Sequence, residues 1–182
     1  STARHFAMIS AKNSQHGALN PYAQFRDVLT VEQVLDAPMV ASPLTLSMCS
    51  PIGDGAAALV LASEAKVRQL GLMDRAIRVR SSVLASGWDY VEEGEETVPQ
   101  YAARLAYETA GLGPADLDVV ELHDASSPAE LVYYEHLGLA APGEGIRLVE
   151  DGVTSLGGRT PVNPSGGLLR KGHPIGASGA GQ

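Results

Sequence analysis

The 182-residue chain has one cysteine, Cys49, one tryptophan and two phenylalanines. A single thiol excludes an internal disulfide and a cysteine-rich metal site. It leads us to expect a reducing, cytoplasmic setting. Aromatics make up only 5% of the chain, so its core must rest on Ala, Val and Leu. Cations are short as well: 13 Lys and Arg face 21 Asp and Glu, for a net charge of −8 and a pI near 5.0. They are scattered, adjacent only at Arg170-Lys171, which excludes the basic stripe that nucleic-acid phosphates require. No apolar run approaches the roughly 18 residues of a membrane span. No signal-peptide layout opens the chain, whose first residue is Ser1. Both ends are expected to be cuts within a longer protein.

What is present suits a globular fold. Hydrophobic residues reach 45% and charged residues 19%, enough for one domain with a substantial core or one domain plus part of another. Residues 1–45 read as polar and irregular, apart from a short helix from Val31 to about Asp36 behind the Thr30–Gln33 capping box. The apolar run Ala56–Leu61 predicts a strand covered on both faces. Ser63 caps a helix that ends at Gly71, and residues Ala76–Ala85 read as a second strand. An acidic run, Glu92-Glu93-Gly94-Glu95-Glu96, reads as a solvated turn. Thr97 and Gln100 cap a further helix that closes at Gly111, with Tyr101, Leu105 and Thr109 on one side. Leu117–Leu122 supplies a third strand. Ser127-Pro128-Ala129-Glu130 then predicts a capping box opening a helix to about Leu137. Alternating strands and helices argue a layered α/β fold.

Candidate chemistry gathers at two places. From Leu156 to Gln182 the chain is dense in glycine and proline, yet interspersed Val162, Leu168, Leu169 and Ile175 argue for a folded site loop over a linker. Within it Gly167–Gly172 has the spacing of a phosphate loop, but His173-Pro174 replaces the required Lys and Ser/Thr. Gly176–Gly179 lacks the spacing of a hydrolase elbow. His173, between a glycine and a proline, reads either as a base or donor near neutral pH or as a turn histidine bonded to a carbonyl. His123 ends an apolar strand, where α/β folds favour catalytic groups; its plainer reading is a histidine bonded to a neighbour such as Asp124. His123, Asp124 and His173 make only weak metal-ligand spacing, and no metal is expected. Cys49 has no charged neighbour to activate it and reads as a small buried hydrophobe.

Taken together, these segments resemble the thiolases, most closely the sterol-carrier-protein-2 type. Gly172-His173-Pro174-Ile175-Gly176-Ala177-Ser178-Gly179-Ala180 is similar to that family's active-site histidine motif. Asn163-Pro164-Ser165-Gly166-Gly167-Leu168 and Glu121-Leu122-His123-Asp124 resemble the sterol-carrier branch, in which His-Asp stands for Asn-Glu. Asp54–Ala58, and Lys12-Asn13 through Asn20-Pro21, fit the same branch, so the resemblance spans the chain.

That resemblance implies an αβαβα thiolase fold with a mixed sheet covered by helices. Residues 1–75 would be the end of the loop region plus the last strand and helix of the N-terminal domain, and 76–182 a truncated C-terminal domain. It implies acyl transfer on coenzyme A thioesters, by Claisen condensation or thiolysis of a 3-oxoacyl-CoA, with no covalently bound cofactor. His173 would activate the nucleophile and stabilise oxyanions, with His123 as its polar companion. Ser165, Gly166, Gly167 and Gly172 would contact the acyl-CoA. The parent would pair as a homodimer or with another thiolase-fold chain, and lipid or sterol transfer belongs to the same branch. Neither reactive cysteine of the family is present, so the chain alone is expected to be inactive. Ser126 replaces the usual aromatic and should open or polarise the pocket. Two other readings remain: a retro-aldolase on a steroid or lipid side-chain acyl-CoA, and a non-catalytic subunit that binds lipid-CoA.

Overall fold

A computed structural model describes residues 1–87 and 95–182. Its elements run α1 (Ala3–Leu19), α2 (Val31–Leu35), β1 (Met39–Ala41), β2 (Leu44–Thr45), α3 (Glu64–Gln69), α4 (Val98–Ala110), α5 (Ser127–His136), α6 (Gly145–Glu150), α7 (Gly167–Lys171) and α8 (Ile175–Gly181). Among the described residues the fold is therefore mostly helical, with one two-stranded antiparallel sheet.

The centre of the fold is α1, which was expected to be irregular. It packs on α2, α5 and α7. Its buried positions include Ser10, Lys12, Asn13, Ser14 and His16 alongside Ala7, Ile9 and Ala11. This helix turns partner-seeking polar groups inward, so it has no clean apolar stripe of the kind that marks a surface helix. Two clusters flank it. Ile9, Leu122, Leu131, Tyr134 and Val162 form one, and Ala7, Val34 and Met48 the other. Phe6 contacts both.

Local grammar set the shorter helices. Thr30 Oγ1 accepts from the Gln33 amide and Gln33 Oε1 from the Thr30 amide, at 3.1 and 2.8 Å. Ser63 caps α3. Thr97 and Gln100 cap α4 reciprocally, and Gly111 closes it at φ 66°, in the left-handed region that a side chain disfavours. Helix α5 departs from expectation. Its N-cap is Ser126, not Ser127, and neither hydroxyl closes a capping bond. Glu130 turns into the core and is fully buried.

The three expected strands do not form a ladder. Among the described residues, Val120 makes one isolated parallel bridge with Val162, and segments 56–61 and 76–85 pair with nothing in regular structure. Val60 is 95% exposed and Leu84 99%. An apolar run becomes a central strand only when neighbours take up its amides and carbonyls and cover both faces. None of the described segments does so here. Part of the acidic run, residues 92–94, lies outside the described residues; Glu96 pairs with Arg104 at 2.9 Å. The glycine-dense stretch does contain helix, in α7 and α8.

Candidate active site

The Val120–Val162 bridge sets the first half of the site. Asn163, at φ 54°, donates its amide to the Val120 carbonyl at 2.7 Å and accepts from the Leu122 amide through Oδ1 at 2.9 Å. The chain segment ending at Leu122 is thereby fixed, and the next two residues part ways. His123 is exposed, whereas Asp124 is fully buried.

The second half comes from α7, which ends at Gly172 and hands the chain to His173 and α8. The Gln24 and Phe25 amides donate to the Lys171 and Arg170 carbonyls, taking up acceptors that the end of so short a helix leaves open. Gln182 Nε2 donates to the Leu122 carbonyl at 2.5 Å, tying the end of α8 to the segment that carries His123.

The two histidines meet edge to face, with ring centroids 4.8 Å apart and planes at 83°. His173 Nδ1 lies 2.7 Å from Ser178 Oγ, and that hydroxyl donates to the Pro174 carbonyl at 3.2 Å. When Nδ1 carries the ring proton, Ser178 Oγ accepts it and the lone pair falls on Nε2. Burial, the neighbouring His123 and then Lys171 hold the His173 imidazole below its ordinary value of 6.5. A neutral imidazole with a free Nε2 is a competent general base near pH 7.

Beneath the histidines lies a buried polar network. Lys12 Nζ contacts Glu130 Oε1 at 2.7 Å and donates to the Asn13 side chain and the Val162 carbonyl. Asn13 Nδ2 donates to Asp124 Oδ2 at 3.0 Å and to Glu130 Oε2 at 2.7 Å. Asn163 Nδ2 and Tyr134 OH donate to Glu130 as well. One lysine thus serves two carboxyl groups. Burial first, and then Glu130, push the Asp124 carboxyl well above the usual carboxylate range. His16 accepts at Nε2 from the Leu156 amide and so donates from Nδ1 to the Asn163 carbonyl, fixing its tautomer. Burial, then Lys12, keep its ring below 6.5.

The residues expected to contact substrate divide into two groups. Ser165 and Gly172 line a cleft of about 710 Å³ together with Asn20, Gln24, Lys171 and segment 53–57. Ser165 is held by Glu121, which accepts from its amide and hydroxyl at 2.8 and 2.9 Å. Gly166 and Gly167 are buried beneath the surface, against Gly17 and Asp124. Neither histidine lines this cleft, but Pro174 and Ser178 do. His123 does not bond Asp124 as its plainer reading had it, because Asp124 faces inward to Leu168 and Asn13. Cys49 is partly buried, which raises its thiol. Beside it, the Ser50 amide donates to the Ala125 carbonyl at 3.0 Å, and Cys49 bridges Ser126. Among the described residues no group of three or more His, Cys, Asp and Glu could hold a metal ion, and no helix is long and apolar enough to cross a membrane.

Reading by residue missed Asn13, Glu130, Asn163 and Ser178 as parts of the site. The signal available for Ser178 was its i+4 spacing from Pro174 within a helix start. Asn13 stands in the Lys12–Pro21 segment that carries the resemblance, with no role attached to it there; for Glu130 there was no such signal, since its meeting with Asn13 is a matter of tertiary packing.

Residues 90–181 match the family model described as thiolase C-terminal domain-like. Among curated relatives, the benzoylsuccinyl-CoA thiolase subunit BbsB of Thauera aromatica is 47% identical over all of this chain and 48% of its own length. Sterol carrier protein 2 of Bos taurus is 42% identical over all of this chain and 35% of its own. An acetyl-CoA acetyltransferase of Methanothermobacter thermautotrophicus is 43% identical, with 48% of its length covered. The chain thus spans about half the length, or less, of the curated relatives it matches. A solved chain of the Ltp2-ChsH2(DUF35) aldolase shares the fold, with a TM-score of 0.79 at 24% identity over the whole of this chain and 49% of that one.

Proposed function

We propose that this chain, which belongs to the thiolase C-terminal domain-like family, supplies the histidine side of an acyl-CoA site in a thiolase-type acyltransferase. The reaction is Claisen condensation or thiolysis of a 3-oxoacyl-CoA. The observation that carries this reading is the pair His123 and His173, edge to face at 4.8 Å, with His173 Nδ1 engaged by Ser178 Oγ at 2.7 Å. In this role His173 takes the proton from a cysteine thiol, and the thiolate attacks the acyl carbonyl. His123 supplies polar contact to the oxyanion that develops. Ser165 and Gly172, on the wall of the cleft, contact the coenzyme A thioester.

The nucleophile is the missing partner. Cys49 is the chain's only cysteine; burial raises its thiol, and it does not line the cleft that holds Ser165 and Gly172. In this proposal the thiolate comes from outside these residues, from further chain or from a partner of the same fold, and the 182 residues alone are expected to be inactive. The Thauera relative is itself described as a subunit, which fits a two-chain arrangement.

The same scarcity of thiols favours one second reading. A retro-aldol cleavage of a 3-hydroxyacyl-CoA on a steroid or lipid side chain needs a base to take the hydroxyl proton, and no cysteine. The solved neighbour of the same fold is described as an aldolase. Incubating the protein with acetoacetyl-CoA plus coenzyme A, and separately with a 3-hydroxyacyl-CoA, separates the two. Cleavage of acetoacetyl-CoA that needs an added thiol-bearing chain, and falls about 10²–10⁴-fold in His173→Ala, supports the acyltransferase. Release of a carbonyl product from the hydroxy substrate alone supports the lyase. Turnover of acetoacetyl-CoA by the isolated chain would show that no outside nucleophile is needed. Binding of acyl-CoA without turnover of either substrate would leave a lipid-CoA-binding subunit.

A further inference from the structure

Asp124 sits directly after His123, yet its side chain points into the core. Its Oδ1 accepts from the Leu168 amide at 2.7 Å. That amide lies in the first turn of α7, among the donors a helix start leaves unpaired within itself. Its Oδ2 accepts from Asn13 Nδ2 at 3.0 Å, and the same Asn13 nitrogen bonds Glu130, which Lys12, Asn163 and Tyr134 hold from three other directions. The approach of α7 is close. A Cβ on Gly167 would stand 2.2 Å from Asp124 Oδ2. Five residues beyond Leu168, this helix delivers His173.

One carboxyl group therefore joins the two pieces of backbone that carry the site. On one side is the segment ending in His123, on the other the helix leading to His173, and both are referred to α1 and α5 through Asn13 and Glu130. We propose that Asp124 is a positioning residue, clamping α7 to the His123 segment so that the two imidazoles meet. The inference rests on reading the histidine pair as the site, and it concerns how that pair is assembled. A buried, charged network is an expensive way to fill a core, because apolar groups of like volume serve stability as well or better. What apolar groups cannot do is direct a hydrogen bond to one particular amide.

The test reads the rings and not the reaction, so it stands apart from the functional reading. In the full 182-residue chain, nuclear Overhauser contacts between the His123 and His173 rings and the titration midpoint of His173 are followed by NMR. Asp124→Ala is expected to lose the ring contact and to move the His173 midpoint upward, as the influence of His123 is removed. Asp124→Asn keeps an oxygen for the Leu168 amide and is expected to retain the contact within about twofold of the wild-type intensity. Val34→Ala, which empties space in the other core cluster, is expected to leave both readouts unchanged while lowering stability. Should Asp124→Ala fail to fold, Asp124→Ser, too short to reach Leu168, carries the same expectation. The proposal is overturned if the alanine or serine variant keeps the contact and the midpoint. It is overturned equally if Asp124→Asn loses them to the same extent, or if Val34→Ala does.

Discussion

At the scale of single residues, the chemistry of the site turns on which nitrogen of His173 carries its proton. Ser178 decides it. Its hydroxyl lies 2.7 Å from Nδ1 and 3.2 Å from the Pro174 carbonyl, and a base at Nε2 requires that it accept from Nδ1–H. Replacing Ser178 with Ala removes that acceptor. The ¹⁵N shifts of His173 are expected to move from a predominantly Nδ1–H form toward the mixture of a free imidazole; unchanged shifts would contradict the assignment. His173 and His123 were legible in the sequence as candidates, one from its glycine–proline setting and the other from its place at a strand end. Their contact was not legible, because 50 residues separate them and tertiary bonds bring their segments together: the Val120–Val162 bridge, the Leu168 amide on Asp124 and the Gln182 bond. Glu130 was misread outright. The motif Ser-Pro-Ala-Glu at a helix start suggests a capping carboxylate, but here the carboxylate found a buried lysine.

Among elements, what could be read was what is set locally. Helices α2, α3 and α4 begin at the Thr30, Ser63 and Thr97 caps that their sequences announce. Helix α1 could not be read, because Lys12, Asn13 and His16 face inward and break the apolar period that would have revealed it. Helix α7 is short and begins with glycine, and its place depends on a close approach to neighbours. Gly167 tests this directly. It holds φ 61°, and a Cβ there meets Asp124 at 2.2 Å. Gly143 holds φ 83° with nothing within 4 Å of its Cβ position. Gly143→Ala therefore reports the backbone cost alone, about 1–3 kcal/mol for a side chain in this region. Gly167→Ala is expected to cost more than Gly143→Ala in denaturant unfolding, and an equal cost would contradict the contact.

Over the whole molecule, the buried polar core gives stability a dependence on pH whose direction can be worked out. The folded His16 has a lowered pKa, so the unfolded chain takes up the proton more readily. The stability its neutral form contributes is fully present above about 6.5 and is lost as pH falls through the lower folded value. Asp124 works in the opposite sense. Its folded pKa is raised, so its contribution is fully present below the ordinary carboxylate value and is lost as pH rises toward the folded one. The His16 part is isolated by comparison: on acidification from pH 7 the wild-type thermal midpoint is expected to lose ground relative to that of His16→Gln. That variant starts lower at pH 7 by about 1–3 kcal/mol, for the buried bonds it loses. An identical slope would remove His16 from the account. The exposed apolar segments at 56–61 and 76–85 belong to this scale too. Their apolar composition led to the expectation of strands, but a sheet is a property of neighbours, and none of the described residues provides one.

The histidine pair itself can be put to the most direct test by titrating His173 by NMR in the wild-type chain and in His123→Ala. The wild-type midpoint is expected below 6.5, with an upward move when the His123 ring is removed. A midpoint at the ordinary histidine value, unmoved by His123→Ala, would contradict the claim that the two imidazoles share one site.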